Sequence, residues 1–193
     1  PTTTISMTTT AASQPPQEEE DLLEVAIIGA GPAGIIAAKY LLQENNTPPN
    51  KVAVLEETST AGGIWNQEKR PHVPCFLPAK EIEVPSSSQP IYRDLRTNFP
   101  KDMTSFVGYP FPAHVEVFAD PSVVANYYRD FCAKTGVLDA MRFHSRVEKC
   151  SKKGELWQIE TIHTQTQEAK TYTSKRLLVC NGHFRKAFSP TLP

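Results

Sequence analysis

Residues 25–34 read Val-Ala-Ile-Ile-Gly-Ala-Gly-Pro-Ala-Gly, an apolar run halted by Gly29-x-Gly31-x-x-Gly34. The chain continues as IIAAKYLLQE, with the apolar spacing of a helix. A strand, a tight turn and a helix are predicted. In such a turn Gly29 permits the bend, Gly31 lets the backbone approach a pyrophosphate, and Gly34 lets helix and strand pack closely. The helix N-terminus then faces the phosphates, and the backbone of Gly29, Ala30, Gly31, Pro32, Ala33 and Gly34 forms the candidate cradle.

Glycine spacings of this kind arise by chance, so the context matters. After the loop NNTPPN a second apolar run, KVAVLEE, delivers Glu56. That is roughly 20 residues past the last glycine, where a ribose-binding carboxylate belongs. Glu56 is expected to accept from ribose hydroxyls. The plainer alternative is a solvated acid at a strand end, as Glu57 beside it exemplifies.

The 193 residues carry 20 Lys and Arg against 21 Asp and Glu, a net charge of −1. One globular domain with a real core fits this length, and the dispersed basic residues favour neither nucleic acid nor electrostatic membrane attachment. Cys75, Cys132, Cys150 and Cys180 form no CxxC pair, which argues against a zinc site or a dithiol redox centre.

Residues 1–20 combine Thr, Ser, Gln, Pro and acids with almost nothing apolar, and are expected to form a disordered tail. No secretory signal is recognisable there and no arginine marks a mitochondrial presequence, so a cytoplasmic location is expected. Val25 to Leu42 is apolar enough to resemble a membrane span. Its central Gly-Ala-Gly-Pro and Lys39 favour the strand-turn-helix reading instead.

Past Glu56, the segment TSTAGGIW places Gly62, Gly63, Ile64 and Trp65 together. Paired glycines allow backbone to approach a flat ligand, and Trp65 would wall a large ring system. An ordinary turn followed by a core tryptophan is the alternative for this segment alone. Combined with the glycine turn and Glu56, it points from nicotinamide toward flavin.

These motifs resemble the flavin-containing monooxygenase family, in which an N-terminal GxGxxG, an acid and GG-x-W bind FAD. Residues 91–112, IYRDLRTNFPKDMTSFVGYPFP, are similar to the family's Y-x-x-L-x-T-N-x-P-K segment with its following M-x-F and P-F-P turn. The resemblance implies that Thr97 and Asn98 lie at the cofactor, with Asn98 by the flavin ring in the catalytic region. A loop-capping asparagine before Phe99-Pro100 is the simpler alternative. The resemblance also places the backbone of Val147 at the adenine, and likens Val179 to Phe184 to the family's A-T-G-H turn, with Cys180 and Asn181 replacing Ala and Thr. His183 reads as structural, and the remaining histidines form no constellation.

PSVVANYYRDFCAKTGV is predicted to form a helix ending at Gly136, with Tyr127 and Tyr128 as packing residues. The stretch from Met141 to Gly182 alternates around Gly154 and a polar turn near Gln165, which describes an antiparallel meander returning through Arg176 to Cys180. The Pro- and Ser-rich stretch from Lys69 to Pro90 is expected to be a surface excursion, either beside the flavin or inert.

The implied fold is α/β, a Rossmann-like three-layer FAD-binding domain over residues 21–193, with a parallel sheet and an antiparallel β-meander, incomplete at its C-terminus. The family's second GxGxxG, which binds NADPH, is absent, and the chain reads as a fragment. An incomplete sheet would expose apolar surface and favour self-association. The activity implied is reduction of FAD by NADPH, reaction with O2 to a C4a-hydroperoxyflavin, and oxygenation of a small-molecule N or S nucleophile. Three alternatives stand beside it. A Baeyer-Villiger oxygenase shares GG-x-W, a flavin disulfide reductase would need a cysteine pair lacking here, and a non-catalytic flavin-binding fragment would consume no NADPH.

Overall fold

The computed structural model describes residues 22–66, 91 and 94–183. The expected tail at 1–20, the excursion at 69–90, His72, Cys75 and the segment from Phe184 onward lie outside these residues. Among them, six strands form one sheet: β1 (Leu23–Ile28), β2 (Val52–Leu55), β3 (Met141–Arg142), β4 (Ser145–Lys153), β5 (Leu156–His163) and β6 (Ala169–Val179). The helices are α1 (Pro32–Gln43), α2 (Lys101–Thr104) and α3 (Pro121–Lys134).

The order across the sheet is β3-β2-β1-β6-β5-β4. β1 pairs in parallel with both β2 and β6, β2 pairs in parallel with β3, and β4, β5 and β6 are antiparallel. The expected meander is therefore continuous with the parallel sheet. Its last strand is longer than expected, because one 11-residue strand serves two neighbours. Ser174, fully buried, is opposite Trp157 of β5 and also opposite Leu23 of β1. Its hydroxyl donates to Arg176 O at 2.6 Å, satisfying the polar group where the strand changes partners.

Strand alternation divides the interior into two cores. Val25, Ile27, Val52 and Val54 face α1 and α3 and pack with Ile35, Ala38, Val124, Phe131 and Cys132. Ala53, Leu55 and Ala26 face the other way and meet Ile159, Val147, Trp157 and Tyr172 of the meander. The three layers are thus helices, parallel sheet and the curled meander. Burial pushes the Cys132 thiol up to about 12 and the Tyr128 hydroxyl up to about 12. Tyr127 is buried too, yet its hydroxyl accepts from Phe106 N and donates to Tyr109 O, each at 2.6 Å. Both tyrosines hold the helix layer in place, and α3 stops before Gly136, which is left-handed at φ +73°.

Candidate functional site

The glycine turn after β1 is built by contacts that differ at each glycine. A Cβ at Gly34 would stand 1.9 Å from Gly29 O, so α1 reaches its position against β1 only without a side chain there. Gly29 has φ +96°, and a Cβ on it would meet Cys180 O at 2.7 Å. Gly31 is different. Its φ of −74° and ψ of −179° suit any residue, and an added Cβ would touch only Gly63 Cα, at 3.8 Å. The protein itself thus makes no demand for glycine at position 31. Gly31 also caps α1 with no side-chain bond, and the first turn carries no acidic residue, which leaves helix N–H groups for an anion.

Glu56 follows β2 and is buried, with 7% of its surface exposed. Its Oε2 accepts from Ala30 N at 2.8 Å, inside the glycine turn, and its Oε1 accepts from Thr58 N at 3.0 Å and Thr58 Oγ1 at 2.8 Å. The carboxylate is therefore no solvated strand-end acid. It ties the end of the second strand to the turn after the first.

The Gly62-Gly63 segment closes on the same turn. Gly62 N donates to Ala30 O at 2.9 Å, and a Cβ on Gly63 would come within 2.9 Å of Gly31 Cα. The two glycine turns touch backbone to backbone, as paired glycines allow. Ile64 and Trp65 follow, both half-buried, with Trp65 packed on the core beneath the helices. Asn66 is 2% exposed and its Nδ2 lies 3.5 Å from Thr58 Oγ1.

From the other side, the connection between β3 and β4 holds the segment after β2. Glu56 N donates to Arg142 O, Ser145 N to Glu56 O and His144 N to Thr58 O, at 3.0, 2.8 and 3.0 Å. Thr164 Oγ1 donates to Glu57 O at 3.2 Å and lies 3.3 Å from His144 Nδ1, while the rings of His144 and His163 stand 5.4 Å apart. The sequence offered no signal for Thr58, Asn66, His144 or Thr164. Their partners are distant in the chain or depend on the closed loop. Val147, two residues beyond Ser145, is half-buried on the edge strand and precedes a register shift between Val147 and Lys149.

Thr97 and Asn98 belong to a separate assembly against α3. Thr97 is buried, its N–H donating to Ala119 O and its Oγ1 accepting from Ala119 N, each at 3.0 Å. Asn98 is exposed beside it. Lys101, the lysine of the Asn-Phe-Pro-Lys segment, sends its ammonium to the carbonyls of Pro112, Ala113 and Val115 at 3.3, 3.1 and 2.6 Å. That lysine organises the loop. Among the described residues no cluster of His, Cys, Asp and Glu is suited to a metal, and no helix is long and apolar enough to cross a membrane.

A carboxylate reaching from the second strand back to a glycine turn puts a buried acceptor beside a helix N-terminus that has no side-chain cap. The class is a dinucleotide-binding α/β domain. Within that class the chain belongs to the flavin-binding monooxygenase-like family, whose model matches residues 23–193. It is 32% identical over 182 residues to flavin-containing monooxygenase FMO GS-OX-like 2 of Arabidopsis thaliana, covering 83% of this chain and 36% of that protein. Over 164 residues it is 27% identical to flavin-containing monooxygenase 5 of Rattus norvegicus, covering 82% of this chain and 27% of the relative. Among solved structures, S-allyl-L-cysteine S-oxygenase from Allium sativum superposes with a TM-score of 0.74 at 26% identity, covering 89% of this chain and 39% of that one. The chain spans little more than a third of the length of the plant relatives it matches.

Proposed function

We propose that this chain is the FAD-binding part of an NADPH-dependent flavin monooxygenase that oxygenates soft N or S nucleophiles. The observation that carries the reading is the contrast among the glycines. Gly29 and Gly34 are required by protein contacts, whereas at Gly31 an added Cβ would touch only Gly63 Cα, so the glycine there fits a close approach by a ligand. The uncapped N-terminus of α1 and the Glu56 carboxylate beside it fit a pyrophosphate and a ribose respectively.

In this reading the backbone from Gly29 to Gly34 holds the pyrophosphate and Glu56 holds the ribose. The segment Gly62, Gly63, Ile64 and Trp65 borders the cofactor, the edge-strand backbone at Val147 meets the adenine, and Thr97 with Asn98 meets the flavin end. Asn98 is the one of these residues assigned to the catalytic region. Bound FAD, reduced by NADPH, supplies the redox chemistry by which O2 is activated for transfer to substrate. The chain's own work is to bind and orient that cofactor. Sulfur is the favoured acceptor atom, because the structurally similar Allium sativum protein is an S-oxygenase. A small nucleophile and O2 are the partners, NADPH is bound mostly outside this chain, and a cytoplasmic setting fits the free thiols of Cys132, Cys150 and Cys180.

The test is the FAD content per polypeptide after gel filtration, with flavin released by heat. Occupancy near one supports the reading, and a folded chain without flavin refutes it for this chain. NADPH consumption separates the remaining alternatives. A non-catalytic flavin-binding portion takes up FAD and consumes no NADPH, and ketone-dependent turnover would favour a Baeyer-Villiger enzyme.

A further inference from the structure

We propose that Thr58 decides how Glu56 reads the sugar, by filling the Oε1 side of the carboxylate so that only one acceptor position, on Oε2, is left for a single ribose hydroxyl. This rests on the assignment of Glu56 to the ribose. A carboxylate presents about four lone-pair positions. Three are already used by protein donors: Ala30 N on Oε2, and Thr58 N and Thr58 Oγ1 on Oε1. A cis-diol gripped through both hydroxyls needs two. One is available.

The Thr58 hydroxyl has one proton and two acceptors in reach, Glu56 Oε1 at 2.8 Å and Thr60 O at 2.9 Å. A carboxylate oxygen is the stronger acceptor of the two, so the hydroxyl proton points at Glu56 Oε1. Thr58 is itself held from three directions. Its N–H is engaged by Glu56, its carbonyl accepts from His144 N at 3.0 Å, and Asn66 Nδ2 lies 3.5 Å from its hydroxyl. Glu56 is buried, so water does not freely exchange for these donors. Thr58 is thus a specificity-determining residue that acts through Glu56 without needing to touch the nucleotide. The second ribose hydroxyl is left outside the reach of the carboxylate, and its loss should pass unnoticed.

The experiment measures binding of ADP, 2′-deoxy-ADP and 3′-deoxy-ADP to the full 193-residue chain by calorimetry, with FAD as a reference ligand. For the unaltered chain, one deoxy analogue is expected to bind at least about tenfold more weakly than ADP and the other within about twofold, since one hydrogen bond to a charged group is at stake. Thr58→Ala vacates the hydroxyl's place on Oε1 and makes both analogues weak relative to ADP, while Thr58→Ser keeps the one-sided pattern. Equal penalties for both analogues in the unaltered chain overturn the role of Thr58 while leaving Glu56 at the ribose. So does a one-sided pattern that survives in a folded Thr58→Ala chain. Indifference to both hydroxyls, or no ADP binding at all, removes Glu56 from the ribose and the inference with it.

Discussion

Replacing two glycines that lie three residues apart should have opposite consequences, and the structure gives the reason for each. At Gly34 the new Cβ would stand 1.9 Å from Gly29 O and 3.1 Å from Gly29 C, both backbone atoms that no rotamer change relieves. Helix α1 must move off β1. Overpacking of this kind costs about 1–3 kcal/mol or more. At Gly31 the Cβ finds ordinary van der Waals contact with Gly63 Cα at 3.8 Å, on backbone that alanine adopts without strain. Two small terms then oppose each other. Alanine at the helix cap costs up to about 1 kcal/mol, and the stiffer unfolded chain returns about 0.4–1 kcal/mol. The melting temperature of Gly31→Ala should stay within about 4 °C of the parent. Its FAD content should nevertheless collapse, because the methyl group occupies the approach of the pyrophosphate. The assay pairs circular-dichroism melting with flavin content after gel filtration. A folded Gly31→Ala chain that retains FAD, or one that unfolds as readily as Gly34→Ala, refutes the reasoning.

Tyr127→Phe leaves Phe106 N and Tyr109 O without their shared partner, so urea denaturation should register a loss of about 1–3 kcal/mol. Alkali should unfold the chain: Tyr128 and Cys132 keep neutral groups in the core, with ionisation raised from 10.0 and 9.0 to about 12 in each case. The stability they lend is complete below the ordinary values and is lost as pH rises through about 12. In an absorbance titration, the last tyrosine ionisation should coincide with loss of helical signal, and a separate step would contradict that burial. Exposed Val107, Met103, Val117, Phe99 and Phe118 form apolar surface between residues 99 and 118. The edge strand β4 instead carries Lys149, Lys152 and Lys153, which discourage edge pairing. Concentration-dependent association is therefore expected through the apolar surface, measured by sedimentation and reduced by Met103→Lys with Val107→Lys.

The strand-turn-helix-strand unit was legible because its geometry is local: Gly29 and Gly34 each state a backbone requirement, and the apolar runs on either side of them mark the strands and the helix. Glu56 was legible by spacing, but its burial and its bond to Ala30 N were not, since they need the two strands side by side. The strand β6 was harder. AKTYTSKRLLV shows a polar alternating half and an apolar half because its neighbours change at Ser174, and that change reads in sequence as two short segments. Thr58 carried no signal at all, as a threonine two residues after a strand-end acid is ordinary until the loop closes on Asn66 and His144. The four-residue helix α2 was equally silent, being too short for any period to show.

Because β1 is flanked by β2 on one side and β6 on the other, it waits through synthesis of the intervening chain for its second neighbour. Leu23 and Ser174 are partners although about 150 residues separate them in the chain. At about 5–20 residues per second, the intervening chain of about 150 residues takes roughly 8–30 s to synthesise. For that interval the apolar edge of β1 has no β6 to cover it. The strand that unites the two halves of the sheet therefore also sets the time for which the nascent chain depends on protection from other chains, and slow, late-closing folding is the kinetic signature to be expected of so non-local a pairing.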